Sequence, residues 1–154
     1  MLNLKDILKG RVLILCLGNL DRGDDGVGIR LSTAIKGKVK YEVIDAGVTP
    51  ENHIGVINKS NPDTIIIVDA IHFEGKAGDI RLFRGEDLRS GQISTHNVSP
   101  KLLIEYLTSS IKAAIYILGI KPKSNKFGEA LSEEVTKTVK ELEDLFLHAS
   151  HSVV

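Results

Sequence analysis

Thr64-Ile65-Ile66-Ile67-Val68-Asp69-Ala70 is the stretch on which the fold turns. Its β-branched residues run without interruption into an aspartate, with neither the alternation of a half-exposed strand nor the spacing of a helix. A short continuous apolar run suits a strand covered on both faces, the usual state of a strand in a parallel sheet. Toward the N-terminus, Arg11 to Leu17 (RVLILCL) has the same character, and Tyr41 to Asp45 is a second, shorter strand. Toward the C-terminus, Ala113 to Leu118 is the last strand. Asp79 to Phe83 also reads as a strand, reached through the turn from Gly75 to Gly78. That turn leaves no room for a crossover helix, so this strand is expected to pair antiparallel, at an edge.

Apolar residues recur at helical spacing between these strands. Val27, Leu31, Ala34 and Ile35 mark one helix, with Gly37 as its stop. Thr49-Pro50-Glu51 resembles a helix start, with Thr as N-cap, Pro at the first helical position and an acid in the first turn. Ser99-Pro100 opens another helix, carried by Leu102, Leu103, Tyr106 and Leu107. Ser132-Glu133-Glu134 starts the last, with Val135, Val139, Leu142, Leu145 and Phe146 as its buried stripe. The expected fold class is therefore α/β: a three-layer α/β/α sandwich around a mostly parallel, twisted sheet of about five strands, one of them an antiparallel edge strand. Residues 1–154 are expected to form a single domain, with His148 to Val154 as a frayed tail.

Composition narrows the function classes. Lys plus Arg and Asp plus Glu both number 20, a balance that gives no electrostatic case for nucleic acid or an anionic membrane as main partner. One cysteine, Cys16, excludes an internal disulfide and fits a reducing compartment. The first residues lack the apolar core of a signal peptide, and no apolar run approaches the roughly 18 residues of a membrane span. A soluble, cytoplasmic protein is expected. A monomer is the default, because no coiled-coil seam stands out.

In open α/β sheets, ligands gather beyond the carboxyl ends of the strands. Asp24-Asp25 follow the first strand, Asp69 ends the third, and His96 lies in the polar segment Ser94-Thr95-His96-Asn97 before a helix. Two carboxylates and one imidazole make a ligand set with open positions for water or substrate. Oxygen and nitrogen donors without thiolate suit nickel, zinc or similar divalent ions. Each residue also has an ordinary use. Asp25 fits an N-cap, Asp24 a turn or a neighbouring backbone amide, Asp69 a strand-end turn and His96 a solvated loop. Cys16 falls inside a core strand, His53 suits solvent, His72 suits a solvated loop or the same rim, and His148 and His151 sit three apart near the tail. Lys137 and Glu141 have the spacing of a solvated helix pair.

The ordered motifs carry more. Gly18-Asn19, Gly23-Asp24-Asp25-Gly26 and Gly28 follow a buried strand. Then come Asp45-Ala46-Gly47, Pro50-Glu51-Asn52, Ile67-Val68-Asp69-Ala70, Thr95-His96-Asn97 and Leu118-Gly119-Ile120-Lys121-Pro122. In this order and across nearly the whole chain, the set resembles the hydrogenase maturation endopeptidases, most closely the branch serving hydrogenases of the formate-hydrogenlyase kind. The resemblance implies an aspartyl-type endopeptidase that trims the C-terminal extension of a nickel-iron hydrogenase large-subunit precursor once nickel is in place. It implies that Asp25, Asp69 and His96 contact the metal and carry the catalysis, and that the nickel arrives with the substrate. Gly23 and Gly26 match the flexible flanks of the family's first loop.

Two other classes fit some of the same residues. A phosphoacceptor domain resembling response-regulator receivers also has an acidic pair after strand one, an aspartate after strand three and a lysine after the last strand. Asp24-Asp25, Asp69 and Lys121 could mimic it around magnesium, but the acidic pair begins seven residues beyond Leu17 and His96 has no purpose there. A non-enzymatic nickel carrier or assembly factor would use the same three residues. A nucleotide-binding module is disfavoured, because no GxxxxGK[ST] pattern is present.

Overall fold

A computed structural model describes residues 3–89 and 98–152. Its strands are β1 (Val12–Leu17), β2 (Glu42–Gly47), β3 (Thr64–Ala70), β4 (Ile80–Arg84) and β5 (Ala114–Ile120). They form one sheet in the order β2-β1-β3-β5-β4. The first three and β5 pair in parallel, and β4 pairs antiparallel with β5 at the edge. Every residue of β1 and β3 is buried, which is why neither sequence alternates.

Helices cover both faces: α1 (Val27–Ile35), α2 (Ile54–Ser60), α3 (Gly85–Arg89), α4 (Val98–Ser110) and α5 (Glu133–His151). Successive strand side chains point to opposite faces, so the central strands feed two cores. Ile14, Cys16, Ile66 and Val68 pack with Val27 and Leu31 of α1 and with Val135, Leu142 and Phe146 of α5. Leu13, Leu15, Ile65 and Ile67 pack with Ile57 of α2 and with Leu103, Ile104 and Leu107 of α4. Removing each such side chain from water contributes about 1.5–3 kcal/mol before chain entropy is counted. Among the described residues no helix is long and apolar enough to cross a membrane.

Several local expectations change. The buried stripe of α4 is Leu103, Ile104 and Leu107, whereas Leu102 is 61% and Tyr106 41% exposed. Apolar residues occupy both candidate stripes, and packing on the sheet selects one. Thr49 makes no side-chain cap bond, and Pro50–His53 forms a 3-10 turn before α2. Lys137 pairs with Glu133 at 3.9 Å and not with Glu141.

The tail is not frayed from His148. Helix α5 continues to His151, Ala149 and Ser150 are buried, and the Ser150 hydroxyl accepts the Lys40 backbone N–H at 2.7 Å. That contact and Ala149 tie the last turn to the body. At the other end of α5, the helix starts where expected and Ser132 caps it, its hydroxyl accepting the Val135 N–H.

Phe146 is fully buried in the core under α5. Phe146→Ala should cost about 3–5 kcal/mol, the usual range for an aromatic core truncation. Chemical denaturation at neutral pH measures this, and a loss below about 1 kcal/mol would contradict the packing described.

Candidate functional site

The strand order sets where a site can form. From β1 the chain moves outward to β2, then returns past β1 to place β3 on its other side. The reversal opens a crevice beyond the carboxyl ends of β1 and β3, the switch point where open α/β sheets hold ligands. Asp25 follows β1 and Asp69 lies in β3, one residue from its end. Both of these expected site residues therefore border the same crevice.

Asp25 belongs to a 3-10 turn, Gly23–Gly26, that leads directly into α1. Its backbone N–H donates to Arg22 O and its carbonyl accepts from the Asn19 N–H, both at 3.0 Å, and only 8% of the residue is exposed. The turn sits close over the strand ends because residue 28 is glycine. A Cβ there would lie 2.2 Å from the Leu17 carbonyl oxygen and 2.8 Å from that of Val68. Gly23 has φ +53, and its Cβ would come within 2.6 Å of Ser124 O. That close approach is to the chain's own backbone. Gly26 has no left-handed backbone.

Asp24, the other acid of the pair, is a structural clasp. Its buried carboxylate accepts the backbone N–H groups of Lys123 at 2.8 Å, Ser124 at 3.3 Å and Ser132 at 2.7 Å, and the Ser132 hydroxyl at 2.9 Å. Backbone bonds reinforce it, from Gly23 N–H to Glu129 O and from Asp24 N–H to Ser124 O. The turn that carries Asp25 is thereby fastened to the segment between β5 and α5. Hydrogen bonds to a carboxylate are among the stronger ones, so this is a stiff mounting.

Asp69 has the parity of Ile65 and Ile67 and so faces the α2 and α4 side of the sheet. It is 1% exposed and lies opposite Gly119 of β5. One carboxylate oxygen accepts the Ala70 N–H at 2.8 Å; the other, Oδ2, is buried without a hydrogen-bond partner among the described residues. Burial, first, and the nearby charge of Asp25, second, push its pKa from an ordinary 3.8 to about 8, against the Ala70 N–H. A buried acceptor left unfilled costs roughly 1–3 kcal/mol, so it calls for an explanation.

His96 lies outside the described residues. Among those described, no group of three or more His, Cys, Asp and Glu could hold a metal ion. What the described residues do present is one unfilled carboxylate oxygen on Asp69, with the charge of Asp25 near enough to act on it. Cys16 is fully buried, with its thiol pKa raised by burial, so it is no nucleophile. Lys121, the lysine of a receiver-like arrangement, donates its amine to the Phe73 carbonyl. The receiver order, 2-1-3-4-5, is also absent, since β5 lies between β3 and β4. As a structural use, sequence reading gave Asp24 a turn or a neighbouring backbone amide. Its partners about a hundred residues away carry no motif beyond Ser132 as a cap.

Because the folded pKa of Asp69 is raised, folded protein retains a proton that unfolded chain has released between about pH 4 and 8. Its contribution to stability is complete below the unfolded value and is lost as pH rises through about 8. Denaturation across pH 5–8 should show wild-type stability falling with pH, by at most about 1.4 kcal/mol per unit from this group. Asp69→Asn should lack that part of the slope, and an identical slope in both proteins would refute the assignment.

Comparison with known proteins identifies the family and agrees with the fold. The family model described as hydrogenase maturation protease (HycI) matches residues 26–149. The chain is 34% identical over 130 residues to the hydrogenase 3 maturation protease of Escherichia coli K12, covering 82% of this chain and 83% of that one. It is 29% identical over 138 residues to a putative hydrogenase maturation protease of Methanocaldococcus jannaschii, covering 81% and 79%. Among solved structures, the [NiFe] hydrogenase maturation protease HycI from Thermococcus kodakarensis superposes with a TM-score of 0.86 at 28% identity, covering 97% and 99%. With the family match spanning most of the chain, this chain belongs to the hydrogenase maturation protease family.

Proposed function

We propose that this chain removes the C-terminal extension of a nickel-iron hydrogenase large-subunit precursor after nickel has been inserted, and that Asp25, Asp69 and His96 grip that nickel. The observation that carries the reading is the buried, unfilled Oδ2 of Asp69 beside Asp25. A divalent ion entering with the substrate would fill the missing coordination and relieve the repulsion between the two acids. The nickel is part of the substrate, held there by thiolates, so the protease needs no cysteine cluster of its own. Recognition and quality control then become one event, because an empty precursor offers nothing to grip.

Two routes to cleavage follow. The metal can polarise the scissile carbonyl, or a water can be activated with a carboxylate as base. An acid with a pKa of about 8 is suited to proton transfer near neutral pH. The same reading has the chain acting in the cytoplasm, as a monomer, with no cofactor held between turnovers. Its single reduced cysteine fits that compartment.

Mass spectrometry of the precursor after incubation tests the proposal. Nickel-loaded precursor should lose one C-terminal peptide, and nickel-free precursor should not. Asp69→Asn and His96→Ala should fold normally yet process at least about a hundredfold more slowly. Wild-type cleavage by either folded variant, or equal cleavage of loaded and empty precursor, would overturn the reading.

A further inference from the structure

Three large apolar side chains stand in solvent on loops beyond the carboxyl ends of the strands. Leu20 follows β1 and is 47% exposed, Val48 follows β2 and is 54% exposed, and Phe127 follows β5 and is 76% exposed. They are distant in sequence but their loops are bonded together. The Gly128 N–H donates to the Asp21 carbonyl at 2.7 Å, which sets the Phe127 loop beside the Leu20 loop. The Gly18 N–H donates to the Gly47 carbonyl at 3.0 Å, which sets the Val48 loop against the start of the Leu20 loop. Leu20 itself packs against Gly26, the neighbour of Asp25.

The Phe127 loop is held in place. Asp24 fastens its two ends through Lys123 and Ser132, and Glu129 accepts from the Gly23 N–H. An exposed aromatic on a pinned loop cannot readily fold back onto the core. It is instead preorganised, so binding through it loses little conformational entropy. Aromatic residues in such positions are typical anchors of protein interfaces.

We infer that Leu20, Val48 and Phe127 form an apolar docking lip for the polypeptide substrate, on the rim beside Asp25. The occupant follows from position. The lip is continuous with the turn that carries Asp25, and a member of a protease family must bring a protein to that rim. Its apolar side chains seat an apolar segment of the precursor while the polar site handles the metal. The inference rests on the proposed placement of the reaction at Asp25 and Asp69.

The test measures both affinity for nickel-loaded precursor and turnover, in Leu20→Ser, Phe127→Ser and the double variant. All the altered side chains are exposed, so folding should be unaffected. Phe127→Ser should weaken affinity and lower kcat/KM about tenfold, through KM, as loss of an interface anchor does. Val56→Ser on α2, an apolar site of similar exposure at 49%, should change neither. Wild-type affinity in the double variant would overturn the lip. So would self-association of the wild type that Phe127→Ser abolishes, because the lip would then be the seat of a second copy. Precursor that binds through the lip but is never cleaved would count against the proposed function alone.

Discussion

Burying a carboxyl group without completing its hydrogen bonds is costly, and the end of β3 does so at Asp69. The strand cannot relieve the cost by turning the side chain outward. Ile65 and Ile67 on the same face are locked against α2 and α4, so the parity of the sheet fixes the direction of residue 69. One oxygen is satisfied by the next backbone N–H, and the other has no partner among the described residues. A second acid, Asp25, is brought close enough to oppose ionisation. The surrounding architecture serves to maintain this costly arrangement.

The first support is a glycine. Gly28 lets the start of α1 descend onto the carbonyl ends of β1 and β3, and Asp25 descends with it. The second is the Asp24 carboxylate, which binds that turn to the segment between β5 and α5 through four acceptor contacts. Adjacent aspartates thus differ: one fastens the turn, and the other lies close enough to Asp69 to oppose its ionisation. Unsatisfied buried polarity at one place, with well-packed structure elsewhere, is a common mark of a functional site.

Much of the architecture was legible in the sequence because the signals were one-sided. Thr64–Ala70 has no helical spacing to confuse it, and its bounds are those of β3 itself. The short turn before β4 forced the antiparallel edge, since no crossover could fit. Where two patterns overlapped, the reading failed. On α4, Leu102 and Tyr106 compete with Leu103 and Leu107, and only contact with the sheet selects between them. At the C-terminus, terminal position suggested fraying, but Ser150 finds Lys40 in a contact no local signal announces. The places of Asp25 after β1 and of Asp69 near the end of β3 were legible from motif and strand position. The Asp24 clasp and the apolar lip depend on segments that meet only in three dimensions.

The central claim is that the open side of Asp69, with Asp25 beside it, takes up nickel carried by the substrate. Nickel-edge X-ray absorption of loaded precursor, alone and freeze-quenched with this chain before turnover, tests it most directly. The account predicts added oxygen or nitrogen scatterers around the nickel with the wild type, and fewer with a folded Asp69→Asn variant. A nickel shell unchanged by wild-type protein in a confirmed complex would contradict it.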